Sequence, residues 1–417
     1  MILKPEELQD PKPEGDAVSR RRFLQLASAA AMSGAFSACH SQYTNTSFIS
    51  VPPGQTVARF PEKAELLLLT DRPPQLETPI HYFREDLTPN EAFFVRWHYE
   101  GIPTYIDLRT FRLKVGGHVD KPLTLTLDEL KHQFDATSIV AVNQCSGNSR
   151  SLFLPRVPGG QWKNGAMGNA RWTGVRLKDL LQRAGVKSGA VDVSFGGLDE
   201  APLFNMSKFV KALGIEHALS DEVLVAYSMN DKPLPMLNGF PLRLVVPGWY
   251  ATYWVKSLAS IKVLPEKFHG FWMDKAYLIP KNADAVETPE NLATDTVPIN
   301  KMNVRSLIVS PDLPDLVRAG ATAEIQGIAF DSGSGISKVE VSIDGGKNWQ
   351  AATLDSDALG KYSFRRFRLP WTPQSSGAYQ LASRAYTNDG KFQRVFDQWN
   401  KSGYMRNVIE QREVTVI

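Results

Sequence analysis

The chain has 417 residues, of which 43% are hydrophobic and 22% are charged, and its formal net charge is +3. This length and composition predict a globular protein of two or three domains, and the small net charge argues against a nucleic-acid-binding protein. The two cysteines, Cys39 and Cys145, are too few for a zinc ribbon or an iron–sulfur cluster, and neither belongs to a Cys-x-x-Cys-His haem motif.

An export signal is predicted at the N-terminus. Residues 19–25 (SRRRFLQ) are followed by an apolar stretch that carries no charge as far as Ala38. The basic segment and the short apolar segment are typical of a signal peptide, and the arginine pair before Phe-Leu resembles a twin-arginine (Tat) signal. The alternative is an accidental basic patch in front of an alanine-rich helix. The cleavage site is ambiguous, because residues 36–39 (FSAC) also resemble a lipobox in which Cys39 would be lipidated.

The segment after the signal is predicted to be a linker. Residues 40–74 are rich in Ser, Thr, Asn and Pro, and two proline-rich breaks interrupt them. Regular structure is expected to begin near Thr78. Residues 90–98 then predict an apolar strand in which Arg96 and His98 point to the same side, an arrangement that favours an anion site over a purely structural histidine.

Short strands and helices are predicted to alternate irregularly up to residue 246. Strands are expected at residues 111–119, 123–127, 138–142, 191–195, 222–227 and 242–246. Thr126 and Glu129 form a capping box at the start of one helix, and four apolar residues at helical spacing predict a second helix that Gly185 ends. The irregular order and the many Gly and Pro loops predict an α+β fold rather than a regular βαβ array.

The strand at residues 138–142 leads into the most distinctive stretch of the chain. Cys145 follows this strand, and the Gly, Asn and Ser residues of a loop separate it from Arg150. A thiol at the end of a strand beside a guanidinium group is typical of a reactive or metal-binding cysteine. A buried structural cysteine is the alternative, since free cysteines often pack as small hydrophobic residues.

The C-terminal part of the chain predicts a β-sandwich. Val339, Val341 and Ile343 alternate with polar residues, and further strands are expected at residues 322–330, 362–369 and 379–386. Turn signals stand at residues 344–346 and 388–390. Several short strands separated by turns over about 120 residues are typical of an immunoglobulin-like sandwich.

Four motifs in the same order resemble the sulfite oxidase family of molybdenum-cofactor enzymes. They are residues 144–148 (QCSGN), 169–174 (NARWTG), 239–243 (GFPLR) and 255–256 (VK). The resemblance implies a fold of class α+β, in which a sulfite-oxidase-type molybdopterin domain is followed by an all-β immunoglobulin-like dimerisation domain. The implied divisions are a signal peptide at 1–39, a linker at 40–74, the molybdopterin-binding domain at 75–296 and the dimerisation domain at 297–417.

The resemblance also implies roles for individual residues. Cys145 matches the protein ligand of molybdenum, whose other ligands would be a pterin dithiolene and oxo groups. Arg96 and Arg150 match arginines that bind the anionic substrate, Tyr277 matches the active-site tyrosine, and His98 would orient that tyrosine. The positions that match cofactor-binding residues are Phe94, Val95, Arg96, Trp97, His98, Asp199, Asn238, Arg243, Trp254, Val255 and Lys256.

Some positions depart from the pattern of the animal members of the family. Asn238 stands where those members have His, and Tyr253-Trp254 stand where they have Arg-His. Ser402 stands where they have an Arg, and Arg406 is a candidate to take the place of that arginine in the pocket.

The function that the resemblance implies is oxidation of sulfite to sulfate in the periplasm. Since the chain has no haem motif, the electrons would pass to a separate acceptor, which is expected to be a c-type cytochrome. The protein is expected to form a homodimer or a heterodimer with a cytochrome subunit. The alternatives are a molybdopterin-dependent reductase of sulfoxides or another small oxyanion and, in a different class, a non-catalytic periplasmic binding protein in which Cys145 is merely buried.

Overall fold

The computed structural model describes residues 56–312 and 315–417. The predicted export signal, with Arg20, Arg21 and Cys39, therefore lies outside the described residues. In the part of the chain that is described, no helix has the length and the apolar character that a membrane crossing requires.

The first described strands correct the prediction of a linker. They are β1 (Thr56–Arg59), β2 (Glu65–Thr70), β3 (Gln75–Glu77) and β4 (Val95–Arg96), and they form one sheet in that order. Leu66 in β2 is fully buried and packs with Val95 and Trp97 in a small hydrophobic core. The run of four leucines at residues 66–69 supplies apolar surface that must be covered. Residues 56–74 are therefore part of the folded domain, and the linker prediction was wrong for them.

The other strands of the N-terminal domain form two five-stranded sheets and one two-stranded sheet. In chain order they are β5 (Leu113–Gly117), β6 (Leu123–Leu125), β7 (Ala136–Gln144), β8 (Met167–Arg176), β9 (Asp192–Gly197), β10 (Val210–Gly214), β11 (Leu224–Met229), β12 (Lys232–Pro233), β13 (Arg243–Val245), β14 (Leu258–Leu264), β15 (Leu278–Pro280) and β16 (Thr296–Pro298). One sheet has the order β10-β9-β14-β5-β6, and the other has the order β12-β11-β8-β7 with β13 beside β11. Strands β5 and β14 run parallel, and the other neighbours in these sheets run antiparallel.

The α-helices of this domain are short, and they confirm the α+β prediction. They are α1 (Leu127–Gln133), α2 (Leu177–Ala184), α3 (Ile215–Ala218) and α4 (Phe271–Asp274). The capping box predicted for α1 is present, because the Glu129 N–H donates to the Thr126 hydroxyl at 3.1 Å and the Thr126 N–H donates to the Glu129 carboxylate at 2.8 Å. Helix α2 ends at Gly185, whose φ of 69° is the left-handed conformation that glycine adopts readily.

The strand predicted at residues 90–98 is present only as the two-residue strand β4. Residues before it fold into a turn, in which the Ala92 N–H donates to the Pro89 carbonyl at 2.9 Å. After β4, the Trp97 N–H donates to the Pro74 carbonyl at 3.3 Å, so the segment stays close to the N-terminal sheet. Pro89 and the turn that begins at it leave few of residues 90–98 free for a longer strand.

The C-terminal domain is the predicted β-sandwich. Its strands are β17 (Arg305–Ser310), β18 (Ala323–Phe330), β19 (Ile336–Ser342), β20 (Gln350–Ala351), β21 (Thr353–Leu354), β22 (Arg365–Trp371), β23 (Gly377–Thr387) and β24 (Gln411–Val416). They form two four-stranded sheets with the orders β17-β18-β22-β21 and β20-β19-β23-β24. Val339 and Val341 point into the core between the sheets, where they pack with Ile325 and Phe367. The alternation read from the sequence therefore identified the inner face of β19.

Candidate active site

Cys145 lies directly after β7, and the pairing of β7 with β8 fixes its position. Gln144, the last residue of β7, stands opposite Met167, and the Cys145 N–H donates to the Ala166 carbonyl at 2.9 Å. The residue is 8% exposed, and its thiol is free. The thiol lines two neighbouring cavities, so it is open to a ligand in spite of its burial.

The two cavities share part of their walls. Cys145, Arg96 and Tyr277 line both of them. One cavity, which we call the Arg150 cavity after a residue of its wall, has a volume of about 280 Å³. Lys401, Ser402 and Tyr404 form one side of it. The other cavity, which we call the Lys256 cavity, is lined in addition by His98, Arg243 and Lys256. Together these two cavities form what we call the active-site pocket.

The Lys256 cavity is strongly cationic. Arg96, Arg243 and Lys256 line it, and no carboxylate among residues 56–312 and 315–417 forms a salt bridge with any of the three. Burial and the charge of Arg243 lower the pKa of Lys256 to about 7, and burial lowers the pKa of Arg243 to about 9. Burial thus disfavours the charged forms of both side chains, and the carboxylate of Asp199 opposes this effect only at Lys256.

Several buried polar atoms of the same cavity have no hydrogen-bond partner within the described residues. They are Arg96 Nη1, Ser146 Oγ, Arg243 Nε and Thr252 Oγ1. Buried polar groups are normally paired, so these atoms point to a bound group. Unpaired donors and unpaired positive charges beside a thiol fit a ligand that carries several negative charges and a soft metal ion. The residues present therefore fit a molybdenum–molybdopterin cofactor.

Tyr277 and His98 form a hydrogen-bonded pair in the wall of the pocket. Tyr277 Oη and His98 Nε2 are 2.6 Å apart. Burial, reinforced by the charges of Arg96 and Lys256, lowers the pKa of His98 well below its usual value of 6.5, and burial raises the pKa of Tyr277. The lowered pKa favours the neutral imidazole, and its tautomer determines which of the two groups donates the hydrogen bond. Tyr277 also has a φ of 61°, which is uncommon for a residue other than glycine.

Arg150 is held rigidly at the other end of the pocket. Its Nε donates to the Ser402 carbonyl at 3.1 Å, its Nη1 donates to the Gly160 carbonyl at 3.2 Å, and the guanidinium carbon lies 5.2 Å from the centre of the Tyr404 ring. The Tyr404 ring in turn stacks on Tyr277 with 5.5 Å between the ring centres. Arg150 and Tyr277 are thus connected through one aromatic side chain.

Three glycines enclose the side chain of Arg150. They are Gly147, Gly159 and Gly403, which come from three separate segments of the chain. A Cβ atom on Gly159 would lie 2.9 Å from Arg150 Nη1, and a Cβ atom on Gly147 or Gly403 would also come within 3 Å of the Arg150 side chain. The space that the guanidinium occupies therefore exists only because these residues lack side chains.

Most of the residues predicted from the sequence meet in the pocket. The members that line at least one cavity are Phe94, Arg96, His98, Cys145, Arg150, Asn238, Arg243, Trp254, Lys256 and Tyr277. The structure therefore brings together all four residues predicted to be catalytic and the predicted metal ligand.

Four predicted cofactor-binding residues lie outside the two cavity walls. Val95 and Trp97 pack in the small core beside β2, and Val255 packs in the main core, where its carbonyl accepts from the Leu244 N–H at 2.9 Å. The ring of Trp97 still lies 4.5 Å from the Lys256 ammonium. Asp199 is buried nearby, and burial raises the pKa of its carboxyl.

Arg406 does not take the place of the missing arginine in the pocket. Its Nε donates to Asp397 at 3.1 Å and its Nη1 donates to Glu410 at 2.8 Å. Arg406 lines neither cavity, whereas Ser402 and Tyr404 line the Arg150 cavity. The suggestion that Arg406 substitutes for that arginine was therefore wrong.

Sequence reasoning missed Lys63, which supports the pocket from the segment that was predicted to be a linker. Its ammonium donates to the Asn90 carbonyl at 2.7 Å, to the Phe93 carbonyl at 3.1 Å and to Asn238 Oδ1. Burial lowers the pKa of Lys63 to about 7. The four leucines that follow it were the available signal for a buried strand in this segment.

Comparison with known proteins gives matches over both domains. Residues 99–272 match the model of the oxidoreductase molybdopterin binding domain, and residues 296–416 match that of the Mo-co oxidoreductase dimerisation domain. Human mitochondrial sulfite oxidase is 36% identical over 364 residues, which cover 83% of this chain and 65% of that protein. Nitrate reductase 1 (NADH) of Oryza sativa subsp. japonica is 30% identical over 367 residues, which cover 81% of this chain and 39% of that protein.

A solved structure extends the similarity to the whole described fold. The sulfane dehydrogenase SoxCD from Paracoccus pantotrophus has a TM-score of 0.72 and 25% sequence identity, and the match covers 95% of this chain and 97% of that chain. Both domains and their order are therefore shared with a protein of known structure. The chain belongs to the sulfite oxidase family of molybdopterin-dependent oxidoreductases.

Proposed function

We propose that this protein oxidises sulfite to sulfate and passes the electrons to a separate acceptor. The observation that carries the proposal is the grouping of a free, buried thiol with Arg96 and Arg150 around a pocket whose cations form no salt bridge with a carboxylate of the described residues. Sulfite oxidases are among the relatives of the chain. A small dianion is the substrate that this charge arrangement suits best.

The chain's own residues would hold the cofactor in defined ways. Cys145 is the residue that would bind the metal, since a thiolate suits an ion that already has sulfur ligands. Lys256, Arg243 and the unpaired donors of the Lys256 cavity would bind the negatively charged groups of the pterin. When bound, the cofactor supplies two-electron oxidation and oxygen-atom transfer.

The substrate would lie in the Arg150 cavity, between the two arginines. Arg150 and Arg96 present forks of N–H donors that match the oxygens of an oxyanion. Arg150 is fixed before the substrate arrives by its bonds to the Ser402 and Gly160 carbonyls, so the charge that moves during the reaction meets a donor that needs little reorganisation. Tyr277 would donate its hydroxyl proton to the substrate, while the Nε2–H tautomer of the neutral His98 would donate to the Tyr277 oxygen and set the direction of the hydroxyl.

The acceptor, the assembly and the compartment are further parts of the proposal. A c-type cytochrome would take the two electrons one at a time. The match to a dimerisation domain supports a homodimer, and a heterodimer with a cytochrome subunit is the alternative. The arginine pair at Arg20 and Arg21 supports export to the periplasm by the Tat route.

The export proposal has a direct test. Replacing Arg20 and Arg21 with Lys keeps the charge but removes the paired guanidinium groups that the Tat receptor reads. The variant is expected to stay in the cytoplasm, and cell fractionation with immunoblotting measures this. A variant that still reaches the periplasm would mean that another export route is used.

Reduction of nitrate or another small oxyanion is the second candidate. It is favoured by the similarity to a plant nitrate reductase. The same arginines could hold nitrate, but nitrate carries one negative charge and sulfite close to two at mildly alkaline pH. Because several cations line the pocket, it suits the more highly charged sulfite better than nitrate.

One experiment separates these candidates. The protein is purified after expression in a host that makes the cofactor, and metal analysis is expected to give about one molybdenum per chain. Steady-state assays then compare sulfite oxidation, with ferricyanide or cytochrome c as acceptor, with nitrate or sulfoxide reduction by a reduced dye. Bound molybdenum with reduction alone would favour the second candidate. Absence of both molybdenum and turnover would favour a binding protein.

A further inference from the structure

A charged pair of the sandwich domain contacts the loop that carries Cys145 and Arg150 through Ser149, and contacts the neighbouring segment through Asn164. Arg305 is the first residue of β17 and is only 1% exposed, and Glu410 immediately precedes β24. Arg305 Nη2 and Glu410 Oε1 are 2.7 Å apart, so the two side chains form a salt bridge. Neither residue lines the active-site pocket, yet both lie directly behind it.

The salt bridge is attached to two neighbouring segments of the N-terminal domain. Arg305 Nη2 donates to Asn164 Oδ1 at 2.8 Å and also to the Ser149 hydroxyl. The second carboxylate oxygen of Glu410 accepts a hydrogen bond from the Asn164 amide. The Ser149 N–H donates to the Lys163 carbonyl at 2.6 Å, which joins the two segments to each other. The pair therefore holds both segments from the sandwich side.

Ser149 needs this support because its backbone is strained. Its φ is 69°, the left-handed conformation that costs a residue other than glycine about 1 kcal/mol. Ser149 comes immediately before Arg150, and the Asn148 N–H donates to the Cys145 carbonyl at 3.0 Å. A displacement of Ser149 would therefore move Arg150 directly and would disturb the turn that begins at Cys145.

Stability alone is a poor explanation for the pair. Arg305 Nε and Nη1 have no hydrogen-bond partner among the described residues, and burial lowers the pKa of this arginine. A buried salt bridge can often be replaced by apolar residues without loss of stability, because removing two charges from water is costly. The contacts of the pair with Ser149 and with Asn164, whose segment is bonded to Ser149, instead favour a role in positioning the loop.

We propose that Arg305 and Glu410 are positioning residues that hold the loop from Cys145 to Arg150, so that the Arg150 guanidinium faces the substrate anion. This inference rests on the proposed function, because it takes Arg150 to be the group that binds the anion. The sandwich domain then has a second role, in which it fixes the geometry of a pocket that is built mainly by the other domain.

The test is Arg305→Gln in the full, molybdenum-loaded protein. The KM for sulfite is expected to rise about tenfold while kcat falls less than about threefold, because substrate binding loses its alignment. The Kd of the product anion sulfate, measured by titration calorimetry, is expected to rise by a similar factor. Arg305→Lys keeps the charge and should recover part of both effects. Arg384→Gln is the matched control, since it breaks an Arg–Glu pair that lies wholly within the sandwich, and it should leave KM and Kd unchanged.

A second variant protects the test against misfolding. Ser149→Ala removes the hydroxyl that accepts from Arg305 and donates to Asn164 Oδ1, leaves the buried salt bridge intact, and should raise the KM for sulfite about threefold. Unchanged KM and Kd values in both variants, with or without a fall in thermal stability, would overturn the positioning role. If Arg305→Gln does not fold, the result for Ser149→Ala decides. A wild-type protein that neither oxidises sulfite nor binds sulfate would contradict the proposed function instead.

Discussion

The cations of the sandwich and the cations of the active-site pocket lie in opposite surroundings. In the sandwich, Arg384 donates to Glu340 and Arg368 donates to Asp355, each at 2.6 Å. In the pocket, Arg243 is buried and Arg96 and Lys256 are partly buried, and none of the three forms a salt bridge with a carboxylate of the described residues. Exposed ion pairs change stability little, whereas a buried charge without a partner is costly. The sandwich arrangement serves the fold, and the pocket arrangement serves a ligand at the expense of the fold.

Replacing Cys145 in the pocket should cause the largest loss of activity, with little change in stability. Cys145→Ser is expected to reduce sulfite turnover by at least about 1,000-fold, about 4 kcal/mol in the activation barrier, because a hydroxyl is a harder and more basic donor than a thiolate. The free energy of unfolding should change little. Steady-state kinetics and denaturant unfolding measure the two quantities.

Val341→Ala in the sandwich core is the converse variant. It should cost about 2 kcal/mol of unfolding free energy, because it leaves a cavity beside Phe367, and it should leave turnover per folded molecule unchanged.

Near-normal turnover of Cys145→Ser would contradict the assignment of Cys145 as the metal ligand.

Removing a pocket cation should stabilise the cofactor-free protein. Lys256→Met keeps an unbranched chain against Trp97 but removes a partly buried charge that forms no salt bridge within the described residues. We expect the free energy of unfolding to rise by about 2 kcal/mol and the molybdenum content after expression with the cofactor to fall. Denaturant unfolding of the cofactor-free protein and metal analysis of the loaded protein measure the two changes.

Arg384→Met is the control for this variant in the sandwich. It should lower stability by less than about 1 kcal/mol and leave the molybdenum content unchanged, because its partner Glu340 is partly exposed. If Lys256→Met kept its full molybdenum content and gained no stability, Lys256 would not serve the cofactor at the expense of the fold.

The position of the substrate anion can be tested at Arg150. Arg150→Gln should raise the KM for sulfite by at least about tenfold, a loss of roughly 1.4 kcal/mol of binding. Arg150→Lys should recover part of this, since the charge returns without the fork of donors. An unchanged KM in the Gln variant would make Arg150 a structural residue and would place the anion elsewhere.

A pH dependence of stability should follow from the buried lysines. Burial lowers the pKa of Lys63 and Lys211 from 10.5 to about 7, so above pH 7 the unfolded chain binds more protons than the folded one. The stability of the cofactor-free protein should therefore rise with pH, by about 1 kcal/mol per pH unit for each lysine between pH 7 and 9. Lys211→Met should lower the slope of stability against pH by the contribution of one lysine, about 1 kcal/mol per pH unit. Lys338→Met on the sandwich surface should leave the slope unchanged. Unfolding curves at pH 7, 8 and 9 that show equal slopes in wild type and Lys211→Met would refute the prediction.

The features that the sequence predicted correctly depend on neighbouring residues. The capping box of α1, the glycine that ends α2 and the alternation in β19 are all patterns within a few positions, and each was found in the structure. The strand before Cys145 was also predicted, although β7 extends two residues beyond the prediction at each end. Local spacing determines these features, so the sequence is sufficient for them.

The errors concern residues whose surroundings come from distant parts of the chain. Lys63 meets Asn238 across 175 positions, and composition alone made its segment look like a linker. Arg406 has carboxylate partners that no local pattern reveals, so the sequence suggested that it was available to the pocket. The support of Ser149 by Arg305 spans 156 positions and was likewise not visible in the sequence. Tertiary partners determine where a long charged side chain points.

The glycines around Arg150 limit how far this pocket could be altered by engineering. Any side chain at Gly147, Gly159 or Gly403 would push the guanidinium aside, so random libraries that include these positions would consist mostly of inactive members. Lys401 lines the same cavity and is itself exposed, so its side chain can vary in size and charge without moving Arg150. A search for altered substrate preference should therefore begin at Lys401, where the wall of the pocket tolerates change.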